Sequence, residues 1–122
     1  MSRRILVVDD QEDNRRILRD LLTNTGFGVI EAATGEQAVA LAEARTPDLI
    51  LMDIQLPDID GYEATRRIKA KPALRATPLI VVTSYALSGD EAKAMAAGAN
   101  AYVSKPFSPR ALLAKIREFL PP

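Results

Sequence analysis

The chain has 122 residues, 48% hydrophobic and 26% charged, with 16 basic and 16 acidic side chains and a formal net charge of zero. That length accommodates one domain with a core of its own, residues 1–122, and the balanced charge supplies no field for a nucleic-acid face, so direct nucleic-acid binding is not expected. The absence of cysteine and histidine excludes disulfide frameworks, thiol chemistry, histidine triads and most zinc sites, leaving carboxylates, lysines, hydroxyls and backbone groups to carry any chemistry.

Ile5 to Val8 is an aliphatic run of the kind that forms a strand covered on both faces, and it ends in Asp9 and Asp10. It is too short for a signal peptide or a membrane span, so a cytoplasmic protein without membrane association is expected. From Gln11 onward Ile17, Leu18, Leu21 and Leu22 recur at helical spacing, with Arg15, Arg16, Arg19 and Asp20 placed largely opposite as a solvated face, and Gly26 is the expected stop. Phe27 to Ala33 reads as a weaker strand at a sheet edge. Thr34 and Gln37 have capping-box spacing ahead of Ala38, Val39, Leu41 and Ala42, which predicts a second helix.

Leu49-Ile50-Leu51-Met52 is a second fully buried strand, delivering Asp53 to its end, and Pro57 and Asp60-Gly61 close the following loop. Tyr62 to Ile68 is a short helix that ends before Pro72, and Pro72 to Pro78 is a connecting loop. Leu79 to Val82 is the third continuous aliphatic run, ending in Thr83-Ser84. Asp90 to Ala97 is helical with Gly98 as terminator. Ala101-Tyr102-Val103 forms a last short strand that leads to Ser104-Lys105-Pro106. Ser108 caps and Pro109 opens a final helix carrying Leu112, Leu113, Ile116, Phe119 and Leu120.

Strands and helices alternate five times, the pattern of an α/β fold with one five-stranded parallel sheet and helices on both faces. The three continuously aliphatic strands belong at the centre and the second and fifth at the edges, which fits the flavodoxin-like (βα)5 order 2-1-3-4-5 with its crevice between the first and third strands. Those two strands both end in acid.

Parallel strands point one way, so Asp9, Asp10, Asp53, Thr83 and Lys105 are expected to converge on one sheet edge. Two unit charges about 4 Å apart repel by roughly 4 kcal/mol at an effective dielectric near 20. Lys105 offsets part of this, and a divalent cation is the natural source of the rest. With hard oxygen ligands and no histidine or cysteine, Mg²⁺ is favoured, with Mn²⁺ possible. A carboxylate beside Mg²⁺, a lysine and a hydroxyl is equipment for accepting a phosphoryl group, with an aspartate as nucleophile.

The chain resembles a response regulator receiver domain across residues 4–120, on Asp9-Asp10, the Asp53 block with Pro57 and Asp60-Gly61, Thr83, and Lys105-Pro106. The likeness is to single-domain regulators of the chemotaxis and cell-cycle kind. It implies a two-component phosphorelay in which Asp53 takes a phosphoryl group from a histidine kinase or histidine phosphotransfer protein. It further implies that Asp10 holds Mg²⁺ directly and Asp9 mainly through water, with Asp53 and the Gln55 backbone carbonyl completing the ligands. Lys105 would contact the phosphoryl group ahead of a cis Pro106. Thr83 would move toward the phosphate as Tyr102 turns inward, reshaping the face made by the fourth helix, fifth strand and fifth helix for a downstream protein target. Such a protein is not an enzyme beyond its own phosphoryl transfer and dephosphorylation. Tyr85 is expected to shield the acyl phosphate from water. The enzyme alternative is a Mg²⁺-dependent aspartyl-phosphate phosphatase of the haloacid dehalogenase kind, which usually carries Asp-x-Asp on its first strand where this chain has Asp9-Asp10-Gln11.

Overall fold

The computed structural model describes residues 3–84 and 90–121. Tyr85, and with it the expectation of a shield over the phosphate, lies outside the described residues. Strands β1 (Arg4–Val8), β2 (Gly28–Ala32), β3 (Leu49–Met52), β4 (Leu79–Thr83) and β5 (Ala101–Ser104) alternate with helices α1 (Glu12–Asn24), α2 (Gly35–Arg45), α3 (Gly61–Lys69), α4 (Asp90–Ala96) and α5 (Pro109–Phe119). The strands pair in parallel in the order β2-β1-β3-β4-β5, as the aliphatic runs predict.

Each central strand divides its side chains between two cores because successive residues face opposite sides of the sheet. Ile5, Val7, Leu49, Leu51, Ile80 and Val82 pack against Leu18 and Leu22 of α1 and Leu112 and Ile116 of α5. Leu6, Val8, Ile50, Met52, Leu79 and Val81 pack against Ala38 and Ala42 of α2, Ala64 and Ile68 of α3, and Ala94 of α4. Residues 49–52 and 79–83 are buried throughout, whereas β5 is half-buried and ends exposed, the mark of an edge strand.

Capping chemistry sets where α2 and α5 begin. Thr34 accepts a hydrogen bond from the Gln37 N–H at 3.0 Å, and the Gln37 side chain in turn accepts from the Ala33 N–H at 2.8 Å. Ser108 caps α5 by accepting from the Ala111 N–H at 3.0 Å, with Pro109 in the first turn. Gly26 and Gly98 follow α1 and α4 with φ of 102° and 112°, the left-handed conformation that lets the chain turn back into a strand.

Two local readings change. The connection after α3 contains a 3-10 turn, Pro72–Leu74, which buries Leu74. On α1, Ile17 is exposed and Arg15 is turned inward, so the apolar stripe runs through Leu18 and Leu22 with Arg15 on its flank. Arg15 lies three residues before Leu18 and seven before Leu22, the spacing of one helix face.

Candidate functional site

The sheet carries its chemistry at the carboxyl ends of β1, β3, β4 and β5. Asp9 and Asp53 each continue the ladder one residue past its strand: the Asp9 N–H bonds the Ala32 carbonyl at 3.1 Å and the Asp53 N–H bonds the Val8 carbonyl at 3.0 Å. The backbone that bears both acids is therefore held by the sheet. Both are buried, whereas Asp10 is exposed at the rim. Each of the three offers a carboxylate oxygen, and these oxygens lie within 4.8 Å of one another.

Lys105 enters from the loop after β5, where its own N–H bonds the Thr83 carbonyl at 2.7 Å. Its Nζ donates to Asp9 Oδ2 at 2.8 Å and stands 3.5 Å from Asp53 Oδ2. The Lys105–Pro106 peptide is cis, as the resemblance implies. Asp9 Oδ1 also accepts from the Gln11 N–H at 2.9 Å, with the Asn14 amide 3.5 Å away. The Ile54 N–H donates to Asp53 Oδ1 at 2.7 Å. Burial pushes the Asp53 carboxyl above its ordinary range; the Lys105 charge opposes this, Asp9 adds to it, and the Ile54 and Gln55 N–H groups oppose it.

Thr83 is fully buried at the end of β4 and pairs with Ser104 across the sheet. It lies in the same alternation as Leu79 and Val81, toward the α2–α3–α4 side. Gln55 is exposed two residues after Asp53. Tyr102 is half-buried on β5, and burial, with Asp90 and Glu91 nearby, pushes its hydroxyl pKa up. Tyr62 on α3 bonds Asp90 at 3.3 Å, and burial beside that acid takes its hydroxyl up to about 12. Asp9, Asp53 and Lys105 thus meet directly, Asp10 completes the acidic group, and Thr83 reaches the same edge from the neighbouring strand.

Three features of the surround were not read from the sequence. Gly61 packs so closely on the end of β3 that a Cβ there would sit 2.1 Å from the Asp53 carbonyl oxygen and 2.7 Å from Ile54 Cα, which is why a glycine follows Asp60. Asp58 accepts from the Gly35 and Glu36 N–H groups, each at 2.8 Å, and so ties the loop after Asp53 to the start of α2. Arg15 donates to the Asp9 carbonyl at 2.6 Å. The stripe spacing carried a signal for Arg15. Asp58 and Gly61 depend on contacts across the fold that no local pattern encodes.

The donor set suits a hard divalent cation: three carboxylates gathered within one coordination shell's reach, with no nitrogen or sulfur ligand among them. The response regulator receiver domain family matches residues 5–117. The chain belongs to that family. Among relatives of this receiver domain, the polar-differentiation response regulator DivK of Brucella ovis is 40% identical over 120 residues, spanning 98% of both chains. The receiver domain of sensor histidine kinase PA1611 from Pseudomonas aeruginosa is 38% identical with a TM-score of 0.91, over 98% of both chains, and holds a magnesium ion in its active-site cleft. The chemotaxis protein CheY4 of Vibrio cholerae superposes with a TM-score of 0.92 at 27% identity, over 98% of this chain and 99% of that one. This is a receiver domain of two-component response regulators, a phosphoacceptor signalling module, and the matches do not support the phosphatase alternative. Among the described residues no helix is long and apolar enough to cross a membrane.

Proposed function

We propose that residues 1–122 act as one receiver domain in which Asp53 accepts a phosphoryl group from a phosphohistidine on a histidine kinase or phosphotransfer protein. The observation that carries this is the acid cluster with its lysine: Asp9, Asp10 and Asp53 offer oxygens within 4.8 Å of one another, and Lys105 touches two of them. An Asp53 carboxylate oxygen forms the new bond to phosphorus as the phosphorus–nitrogen bond of the donor breaks, and the electron pair leaves on the imidazole nitrogen. Lys105 shifts its contact to the phosphoryl oxygens, and the Thr83 hydroxyl donates to another. A bound Mg²⁺, or Mn²⁺, which also suits oxygen ligands, would supply charge neutralisation and would be held by Asp9, Asp10, Asp53 and the backbone carbonyl of Gln55.

An open groove of about 330 Å³ runs along α1 beside Lys105, lined by Ile17, Leu18, Leu21, Phe107 and Pro109. It borders the acid cluster through Lys105, and we assign it to the phosphodonor protein, whose histidine must reach Asp53 from this edge. Output follows from the added charge: movement of Thr83 toward the phosphate and of Tyr102 inward biases the α4–β5–α5 face between two arrangements for a downstream protein. The protein so read is a cytoplasmic switch that catalyses only its own phosphoryl transfer and dephosphorylation.

Incubation with acetyl phosphate and Mg²⁺, followed by intact-mass measurement, tests the assignment. A stoichiometric, base-labile phosphoryl adduct absent in Asp53→Asn is expected. Repeated turnover of varied phosphate esters without an adduct would overturn it.

A further inference from the structure

We propose that Arg15 is a positioning residue for the acidic pocket, its guanidinium bridging the Asp9 carbonyl to Glu31 on β2 and so setting the aim of Asp10. The proposal rests on the reading of Asp9, Asp10 and Asp53 as a divalent-cation site. The Arg15 side chain is 14% exposed, well inside the helix–sheet junction. Its NH1 donates to the Asp9 carbonyl at 2.6 Å, its Nε to Glu31 Oε1 at 3.2 Å and its NH2 to Glu12 Oε2 at 2.5 Å. Glu31 is held from the other side by Arg19, whose NH1 donates to Oε2 at 2.8 Å.

The Asp9 carbonyl belongs to the planar peptide unit that also contains the Asp10 nitrogen, so fixing the oxygen fixes the plane from which the Asp10 side chain projects. The preceding peptide is fixed as well, since the Asp9 N–H bonds Ala32 on β2. Asp9 has its own holds on its carboxylate in Gln11 and Lys105. Among the described residues, by contrast, no donor hydrogen-bonds the exposed Asp10 carboxylate, so the held 9–10 peptide, which places the Asp10 Cα, is what brings that carboxylate to the pocket. The planar fork of arginine reaches two acceptors at once; a single ammonium at this position cannot bridge the Asp9 carbonyl and Glu31 in the same way. Glu31 then acts through Arg15, at one remove from the pocket.

The experiment is a Mg²⁺ titration of the unphosphorylated protein followed by backbone amide NMR shifts, with the melting temperature of each metal-free variant measured alongside. Arg15→Met should weaken Mg²⁺ binding roughly tenfold, as loss of a group that orients a metal ligand commonly does. Arg15→Lys should weaken it although the charge is kept, Glu31→Gln should weaken it less, and the double variant Arg15→Met/Glu31→Gln should bind no worse than Arg15→Met. Unchanged affinity in Arg15→Met and Arg15→Lys, with or without a lower melting temperature, would reduce Arg15 to a structural contact and overturn the proposal. Tighter binding in Arg15→Met would show the guanidinium acting as a repelling charge, and additive losses in the double variant would show Glu31 acting separately; either result overturns the bridge. Should Arg15→Met fail to fold, Arg15→Lys and Glu31→Gln carry the same comparison. Wild-type protein that binds no Mg²⁺ would overturn the reading of the pocket itself, whereas normal wild-type binding with unaffected variants overturns only the role of Arg15.

Discussion

Lys105→Met removes the ammonium that reaches both buried acids. Asp9 is 2% exposed and the Lys105 side chain 17%, so the 2.8 Å pair between them is largely withdrawn from water. Removing one partner of a buried pair leaves an uncompensated charge and costs about 3–5 kcal/mol. The lower end applies, about 3 kcal/mol, because the Gln11 N–H still holds Asp9 Oδ1. For 122 residues that corresponds to a fall in melting temperature of about 12 °C. A divalent cation supplies the missing charge, and at about a hundredfold its Kd it returns roughly 2.7 kcal/mol. Wild-type protein should gain less from the same cation, because Lys105 already neutralises part of the acidic charge. Thermal unfolding followed by circular dichroism, in chelator and then in Mg²⁺, measures both effects. A variant that melts with the wild type in chelator, or a Mg²⁺ gain of equal size in both proteins, would refute this electrostatic account of the pocket.

Asp58→Asn tests the tie between the β3–α3 loop and α2. The Glu36 and Gly35 N–H groups hold the Asp58 carboxyl below its ordinary value. A carboxyl lowered in the folded state contributes stability that is present above the unfolded value of about 3.9 and lost as pH falls through the lower folded value. The melting deficit of Asp58→Asn should therefore be constant near neutrality and shrink as pH falls below about 3.9, and a deficit that does not shrink in acid refutes the assignment. Gly61→Ala should destabilise by about 3 kcal/mol, because the added methyl meets backbone rather than a side chain that can give way; wild-type stability in denaturant melts would contradict that packing. Ser108→Ala, which removes the α5 cap, should cost about 1 kcal/mol in the same assay.

The fold was legible because the periods of the sequence and of the sheet agree. Three continuous aliphatic runs of about four residues, too short for buried helices, read as strands covered on both faces, and they occupy the centre. The weaker run at 28–32 and the short one at 101–104 lie at the edges. The site was legible for the same reason: in a parallel sheet every strand's end lies on one side, so residues 9, 53, 83 and 105 needed no distance information to be grouped. Arg15 was misjudged because charge outweighed spacing; a guanidinium on the Leu18–Leu22 stripe is stable only when its donors find acceptors, and those are a backbone carbonyl and Glu31 on another element. The Asp58 tie, and the close packing of Gly61 that its place in the Asp60-Gly61 turn did not reveal, were out of reach for a different reason. Their partners, residues 35 and 36 for one and 53 and 54 for the other, become neighbours only once the β3–α3 loop has folded back on the sheet.

The central claim is that the acceptor of the phosphoryl group is the Asp53 carboxylate. Borohydride reduces an aspartyl phosphate to homoserine, so reduction of the phosphorylated protein with tritiated borohydride marks the acceptor directly. Peptide sequencing should place the label at position 53 alone, and only in protein treated with both phosphodonor and Mg²⁺. Label at Asp9 or Asp10, or no label in protein that has taken up phosphate, would contradict the account.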